Sequence, residues 1–426
     1  MSRFGYITLC RLCASDKLNS ILEIGDCAPG DLYMNTKEES LSLEKFPLVV
    51  KQCQDCGHTQ LSFFVDPAII YSKYIYQTSD SLGLNEHFRR YQASVSELLG
   101  LSNRAKVFDI GCNDGTLLNH FKAAGCETYG IDPSAEALEI SLRNGHKVQL
   151  GYFDSKSTNK IQSELGEFDL VVANNVLANV ENLEEFFISV TQILRPDGTF
   201  IFETGYLEYL ANLRVVDNIH HEHIDYFSVK PLTTFLEKFG LRIFNLEVSS
   251  SKGSSIRVYV TRINSNRESL VNLSEVIEME SRMGFYDLAS YHTLRNEINA
   301  ELERVHSWIE NEKKAGKKVF GYGASVGSTT LINLLELEDK IDFLADDNFR
   351  RHGLFSPGSG IEVLDPSAIK NSNHSVLILA WRYMMPIKKR IHSHSGESNL
   401  ISIWDQSDNP IMANSAFTFG KNGSPQ

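Results

Sequence analysis

The stretch AKVFDIGCNDGTLLNHF, residues 105–121, constrains the fold more than any other part of the chain. An apolar run from Val107 to Ile110 enters a turn carrying Gly111 and Gly115 and leaves as a helical pattern. Strand, tight turn and helix form the opening unit of a doubly wound α/β sheet. The alternation then continues through TYGID ending at Asp132, the helix ALEISLRNG, KVQLG, FDLVVANNV, a helix from Leu183 to Leu194, the turn RPDG and the strand TFIFET. Alternation this regular predicts a parallel sheet with helices on both faces.

The turn also restricts the ligand. Its pattern, Asp109-x-Gly111-x-Asn113-x-Gly115, departs from the dinucleotide fingerprint and carries two carboxylates, Asp109 and Asp114. They would repel a pyrophosphate but suit a cofactor with a cationic sulfonium and an α-amino group. Asp132 is placed to accept hydrogen bonds from ribose hydroxyls. These residues resemble the class I S-adenosylmethionine-dependent methyltransferases, with Asp109, Gly111 and Gly115 in the family's first motif. Asn113, Asp132 and Asn174 complete the cofactor-binding set expected from that resemblance. The alternative is a doubly wound domain for another adenosine-containing ligand.

Four of the seven cysteines form two knuckles, Cys10-Arg-Leu-Cys13 and Cys53-Gln-Asp-Cys56. In a reducing compartment, paired C-x-x-C knuckles read as a tetrahedral thiolate zinc site, here with Gly57 as a turn residue. Four thiolates leave no open position, so the expected zinc is structural. Cys27 and His58 lie nearby as substitute ligands. The competing readings are coincidental buried pairs or a redox motif. Cys112 and Cys126 read as ordinary buried thiols.

A chain of 426 residues suggests several domains. The expected division is a zinc module over 1–65, a helical connector or lid over 66–105, a methyltransferase core over 106–262, a second helical connector over 263–315 and a smaller Rossmann-like α/β domain over 316–426. In the first connector, Tyr71, Tyr74, Tyr76, Phe88 and Tyr91 either cover the cofactor mouth or belong to two packing helices. The last domain opens at KKVFGYGASVGSTTLINLL, with Gly321, Gly323 and Gly327 before a helix whose N-terminal amides suit a diphosphate. Arg350, Arg351, His352 and Arg382 lie just beyond strand ends, or else are solvated arginines of a scaffold. A net charge of −13 works against a phosphate backbone as partner, so no nucleic acid is expected. No run reaches the ~18 apolar residues of a membrane span, and the N-terminus lacks a secretory apolar core. The cytoplasm is the expected compartment.

The order of a four-cysteine module, a methyltransferase core with an H-E-H segment, and a C-terminal domain with GYGAS, ADDN and LILAW resembles the nucleotide-sugar C-methyltransferases of deoxysugar biosynthesis. The nearest of these are the C-3 methyltransferases of nucleotide-linked 4-keto-6-deoxy sugars. The resemblance implies a small nucleotide-sugar substrate, a monomer or homodimer, and chemistry at NIHHEHIDYF, residues 218–227. By that resemblance His223 is the base at the third sugar carbon, with Glu222 beside it. The family commonly has tyrosine at His220, histidine at Asn179 and a lysine at Gly327. His220 can replace a phenol as donor, and Asn179 can donate a hydrogen bond but cannot serve as a base. Read without the family, the histidines offer three functions: proton transfer, a metal held by His221 and His223 on one side of an extended segment, or a wet surface patch. O- or N-methylation of a sugar or small metabolite, or a non-catalytic nucleotide-sugar binder, are the rival functions.

Overall fold

The computed structural model describes residues 4–70, 78, 83–249, 253–369, 373–395, 399–404 and 417–418. The apolar runs of the core become a central sheet of eight strands. From one edge the order is Lys147–Leu150, Glu127–Asp132, Lys106–Ile110, Phe168–Asn174, Leu194–Gly205, Ser255–Arg262, Leu241–Ser249 and Phe417–Thr418. The first five run parallel, and the last three pair antiparallel. Val107, Leu170, Val171, Val172 and Ala173 are fully buried, as expected of parallel strands covered on both faces. The strand order reverses between Lys106–Ile110 and Phe168–Asn174, and the crevice at such a switch point is where ligands of open α/β sheets bind.

Two local expectations fail. RPDG is not a turn ahead of the fifth core strand but lies inside Leu194–Gly205, with a register shift between Leu194 and Thr199. The helix Ser155–Leu165 was not expected, because its buried side is only Ser157, Thr158 and Ile161. Its start is fixed instead by Asp154, whose carboxylate accepts the Ser157 N–H at 2.7 Å.

The knuckles belong to a four-stranded sheet of Leu18–Cys27, Phe46–Cys53, Thr59–Leu61 and, from the far side of the core, Asp225–Tyr226. The polar stretch after the core forms the helices Leu273–Arg282 and Leu288–Lys314. They lead into a five-stranded all-parallel sheet ordered Val363–Leu364, Phe343–Ala345, Lys318–Tyr322, His374–Ile378 and Asn399–Ser402. Of the connector aromatics, Phe88 and Tyr91 are buried on the helix Leu84–Leu99; Tyr71, Tyr74 and Tyr76 lie outside the described residues. Among the described residues no helix is long and apolar enough to cross a membrane.

Candidate active site and metal centre

The Sγ atoms of Cys10, Cys13, Cys53 and Cys56 lie within 4.8 Å of one another. Cys10 and Cys56 are 3.5 Å apart, Cys13 and Cys53 3.6 Å, and all four are free of disulfides. A zinc–sulfur bond of ~2.3 Å gives a tetrahedron with edges of roughly 3.8 Å, so the four thiols fit one zinc ion. The two substitute ligands are used elsewhere. His58 Nε2 meets Asp225 Oδ1 at 2.8 Å, and the Cys27 thiol points to the Gly25 carbonyl. Gly57 has φ +85°, and a Cβ there would lie 2.6 Å from the Tyr286 ring.

A cleft of about 1270 Å³ opens at the C-terminal ends of the core strands and takes lining residues from all three sheets' domains. At its core end lie Asp109, Gly111, Asn113, Asp132 and Asn174. Burial, and then the neighbouring Asp132 charge, hold the Asp109 carboxyl well above the usual carboxylate range. Asp132 accepts the N–H groups of Asn113 at 2.9 Å and Ser134 at 2.8 Å, and burial raises it too. Each of its oxygens keeps a second lone pair for a hydroxyl donor. Gly111 lets the backbone pass Val176, whose Cγ2 would be 2.6 Å from a Cβ. Among the described residues, the buried side-chain oxygen and nitrogen of Asn174 have no hydrogen-bond partner. Two carboxyl groups, a close backbone turn and an orphaned amide fit an amino-acid nucleoside with a positive charge.

Two loop residues do something else. Asp114 turns back on its own helix, accepting the Thr116 N–H at 3.1 Å and hydroxyl at 2.6 Å. Gly115 does not line the cleft; a Cβ there would meet Ser141 Oγ at 2.7 Å and His146 at 2.8 Å, so it serves helix packing.

Across the cleft stands the histidine segment. It is a turn, closed by the His223 N–H to the His220 carbonyl at 2.9 Å, and not an extended strand. His220 and His223 therefore share one side, with ring centroids 3.9 Å apart, and both line the cleft with Glu222. His221 points the other way: its Nε2 reaches the Phe46 carbonyl at 3.2 Å, and burial pushes its pKa down to about 4. That geometry removes the His221–His223 metal pair, and among the described residues the cysteine cluster is the group suited to an ion. His223 Nδ1–H donates to the Asn218 carbonyl at 3.0 Å, which leaves Nε2 with the ring's lone pair. Asn179 lies on the short turn Leu177–Asn179 of the same wall.

The C-terminal domain supplies Arg351, Arg382 and Gly327 to the cleft, while Arg350 and His352 do not line it. Both arginines are matched by carboxylates. Arg351 donates to Asp31 at 3.1 Å and stacks over Tyr33 at 5.3 Å; Arg382 pairs with Asp217 at 2.7 Å. A Cβ on Gly327 would meet the Asp217 carbonyl oxygen at 2.8 Å, so Asp217 sits where the diphosphate was expected. Asp31 and Tyr33 come from the zinc module and Asp217 from just before the histidines. None carried a motif; their only signal is three-dimensional.

A doubly wound core with an acidic glycine turn at the strand-order switch point defines a class I S-adenosylmethionine-dependent methyltransferase. Residues 84–246 match the family model "Methyltransferase domain", 250–401 "C-methyltransferase C-terminal domain" and 10–71 "Putative zinc binding domain". Together these matches support a C-methyltransferase with an N-terminal zinc module, and the cofactors are S-adenosylmethionine and structural zinc. It is 26% identical over 376 residues to C-methyltransferase NovU of Streptomyces niveus, spanning 88% of this chain and 90% of that one. It is 28% identical over 163 residues to the ubiquinone biosynthesis O-methyltransferase of Aromatoleum aromaticum, spanning 34% and 68%. A Clostridium acetobutylicum S-adenosylmethionine-dependent methyltransferase structure aligns over 46% of this chain and 97% of its own, at 16% identity and a TM-score of 0.34.

Proposed function

We propose that the chain methylates a carbon beside a ketone, the third carbon of a nucleotide-linked keto-deoxy sugar, in the cytoplasm. The observation that carries this reading is the single cleft with Asp109, Asp132 and Asn174 at one end and the His220–His223 pair across from them. S-adenosylmethionine supplies an electrophilic methyl group on a positively charged sulfur. Asp109 faces that positive charge, Asp132 takes the ribose hydroxyls, Asn174 pairs its amide with the nucleoside, and the Asn113 and Gly111 backbone shapes the turn.

The rest of the work is proton transfer. His223 Nε2 removes the proton next to the ketone, and the C–H electron pair moves into the enolate, whose charge settles on the ketone oxygen. The Asn179 amide and His220 donate hydrogen bonds to that oxygen, and Glu222 favours the imidazolium form of its neighbour. As the ketone C=O re-forms, the enolate carbon takes the methyl group. The methyl–sulfur bond breaks with its electron pair left on sulfur as a neutral thioether, and His223 returns its proton to solvent. Each arginine on the C-terminal wall has more N–H donors than its carboxylate partner takes up, so Arg351 and Arg382 remain the groups for the diphosphate.

One feature favours a second reading. Asn179 cannot relay a proton, and a hydroxyl or amine acceptor needs only one base, which makes O- or N-methylation the alternative. Incubating the protein with S-adenosylmethionine and a panel of nucleotide sugars separates the two. A mass gain of one methylene on a carbon, located by NMR, supports the proposal. A methyl on oxygen or nitrogen selects the second reading, and donor binding without product across the panel points to a non-catalytic binder.

A further inference from the structure

The zinc knuckle is wired to the proton-transfer wall by one side chain. Arg11 lies between Cys10 and Cys13, and its side chain is 12% exposed. Its Nε donates to both oxygens of Asp225, at 2.9 and 3.0 Å. The other two guanidinium nitrogens donate to the carbonyls of Val180 at 2.6 Å and Glu181 at 3.0 Å. Asp225 is fully buried and also holds His58. It follows His223 by two positions, and Val180 follows Asn179 directly. A single planar fork therefore grips both catalytic segments at once.

The backbone repeats the connection. Asp225–Tyr226 pairs antiparallel with Thr59 and Gln60, so the strand leaving the histidine turn is an edge of the zinc module's sheet and not of the methyltransferase sheet. Gln60 in turn accepts the Arg11 N–H at 2.8 Å, and the Ile224 N–H donates to the Ala178 carbonyl at 2.6 Å.

We infer that Arg11 is a positioning residue: anchored by the metal-binding knuckle, it fixes the separation of the His223 turn from the Asn179 turn. The inference rests on the proposed roles of those two residues. Arg11→Lys keeps a positive charge for Asp225 but gathers its three N–H donors on one nitrogen, so it cannot span the carboxylate and two carbonyls that Nε, Nη1 and Nη2 reach separately. A displacement of about 1 Å at a reacting group costs roughly 100-fold.

The full-length zinc-loaded protein is compared as wild type, Arg11→Lys, Arg11→Ala and Lys238→Met. Lys238 also binds the knuckle, donating to the Leu12 carbonyl at 2.6 Å, but touches neither catalytic segment, so it is the control. Turnover is read with thymidine diphosphate-4-keto-6-deoxyglucose as probe. For Arg11→Lys the expected result is a kcat lower by roughly 100-fold, with S-adenosylmethionine affinity by calorimetry and zinc content unchanged. Amide hydrogen exchange is read on the same samples without substrate. Segments 177–182 and 220–226 are expected to exchange together, roughly tenfold faster, while 106–110 keeps its protection. If Arg11→Ala fails to retain zinc or fold, Arg11→Lys decides. Wild-type exchange rates in both segments, or loosening spread evenly over the zinc module with loss of metal, overturn the inference. A wild type that ignores the probe defeats the substrate reading alone, because the exchange comparison stands without it.

Discussion

With Asp109 facing the donor's positive charge, as proposed, donor binding is expected to release a proton. Its carboxyl is 4% exposed and is held above the usual range by burial and by Asp132. In the pH interval between an ordinary carboxylate and that raised value, the donor-free protein therefore carries the neutral acid. A cationic donor beside it favours the carboxylate, so binding in that interval expels one proton. The sign follows directly: affinity rises with pH while the free protein is protonated, by about tenfold per pH unit, and levels off above the raised value. Each pH unit of that rise corresponds to about 1.4 kcal/mol of binding free energy. Calorimetry of S-adenosylmethionine in buffers of different ionisation enthalpy reads the affinity and the proton count together. Asp109→Asn removes the titrating group, and its affinity is expected to be flat over the same range. An affinity independent of pH in the wild type, or a slope that survives Asp109→Asn, refutes the reasoning.

Replacing Asn174 by leucine removes a buried amide with no partner in the described protein, so the ligand-free chain should gain about 1 kcal/mol while its Kd for S-adenosylmethionine rises roughly tenfold; an unchanged Kd removes Asn174 from the site. Glu280, buried between Tyr206 and Tyr286, has its pKa raised to about 7, chiefly by burial. A raised carboxyl is most stabilising below its unfolded pKa and loses stability as pH climbs toward the folded value, so stability should fall by about 1 kcal/mol from about pH 6 to about pH 8. Urea unfolding at the two pH values should show that loss in the wild type and not in Glu280→Gln; equal losses contradict it. Metal analysis should find about one zinc per chain, lost in a Cys10→Ser/Cys13→Ser double variant; no metal in protein with reduced thiols would remove the knot.

Much of the fold was legible where local chemistry dictates it. The turn at Gly111 needs φ +73°, the buried run of Phe168–Asn174 is apolar throughout, and the knuckles repeat one spacing. What escaped reading depends on distant partners. RPDG lies inside a strand but takes no partner in the register, which passes from Leu194 directly to Thr199, so its turn preference survives as an irregularity in the pairing. Ser155–Leu165 has too narrow an apolar face to be seen as a helix. The histidine segment was legible as a cluster of titratable groups but not as a turn, and only the turn sends His221 to Phe46 and His220 with His223 to the cleft. Likewise nothing in PGDLY signals that Asp31 and Tyr33 reach from the zinc module into the cleft, or that Asp217 faces the helix behind Gly327.

The central claim, that an imidazole at position 223 takes hydrogen from a carbon in this cleft, is tested most directly by incubating the protein with a nucleotide-linked 4-keto-6-deoxy sugar in deuterated water without methyl donor. The account predicts deuterium at the carbon beside the ketone, abolished in His223→Ala. No incorporation by the wild type, or undiminished incorporation by His223→Ala, would contradict it.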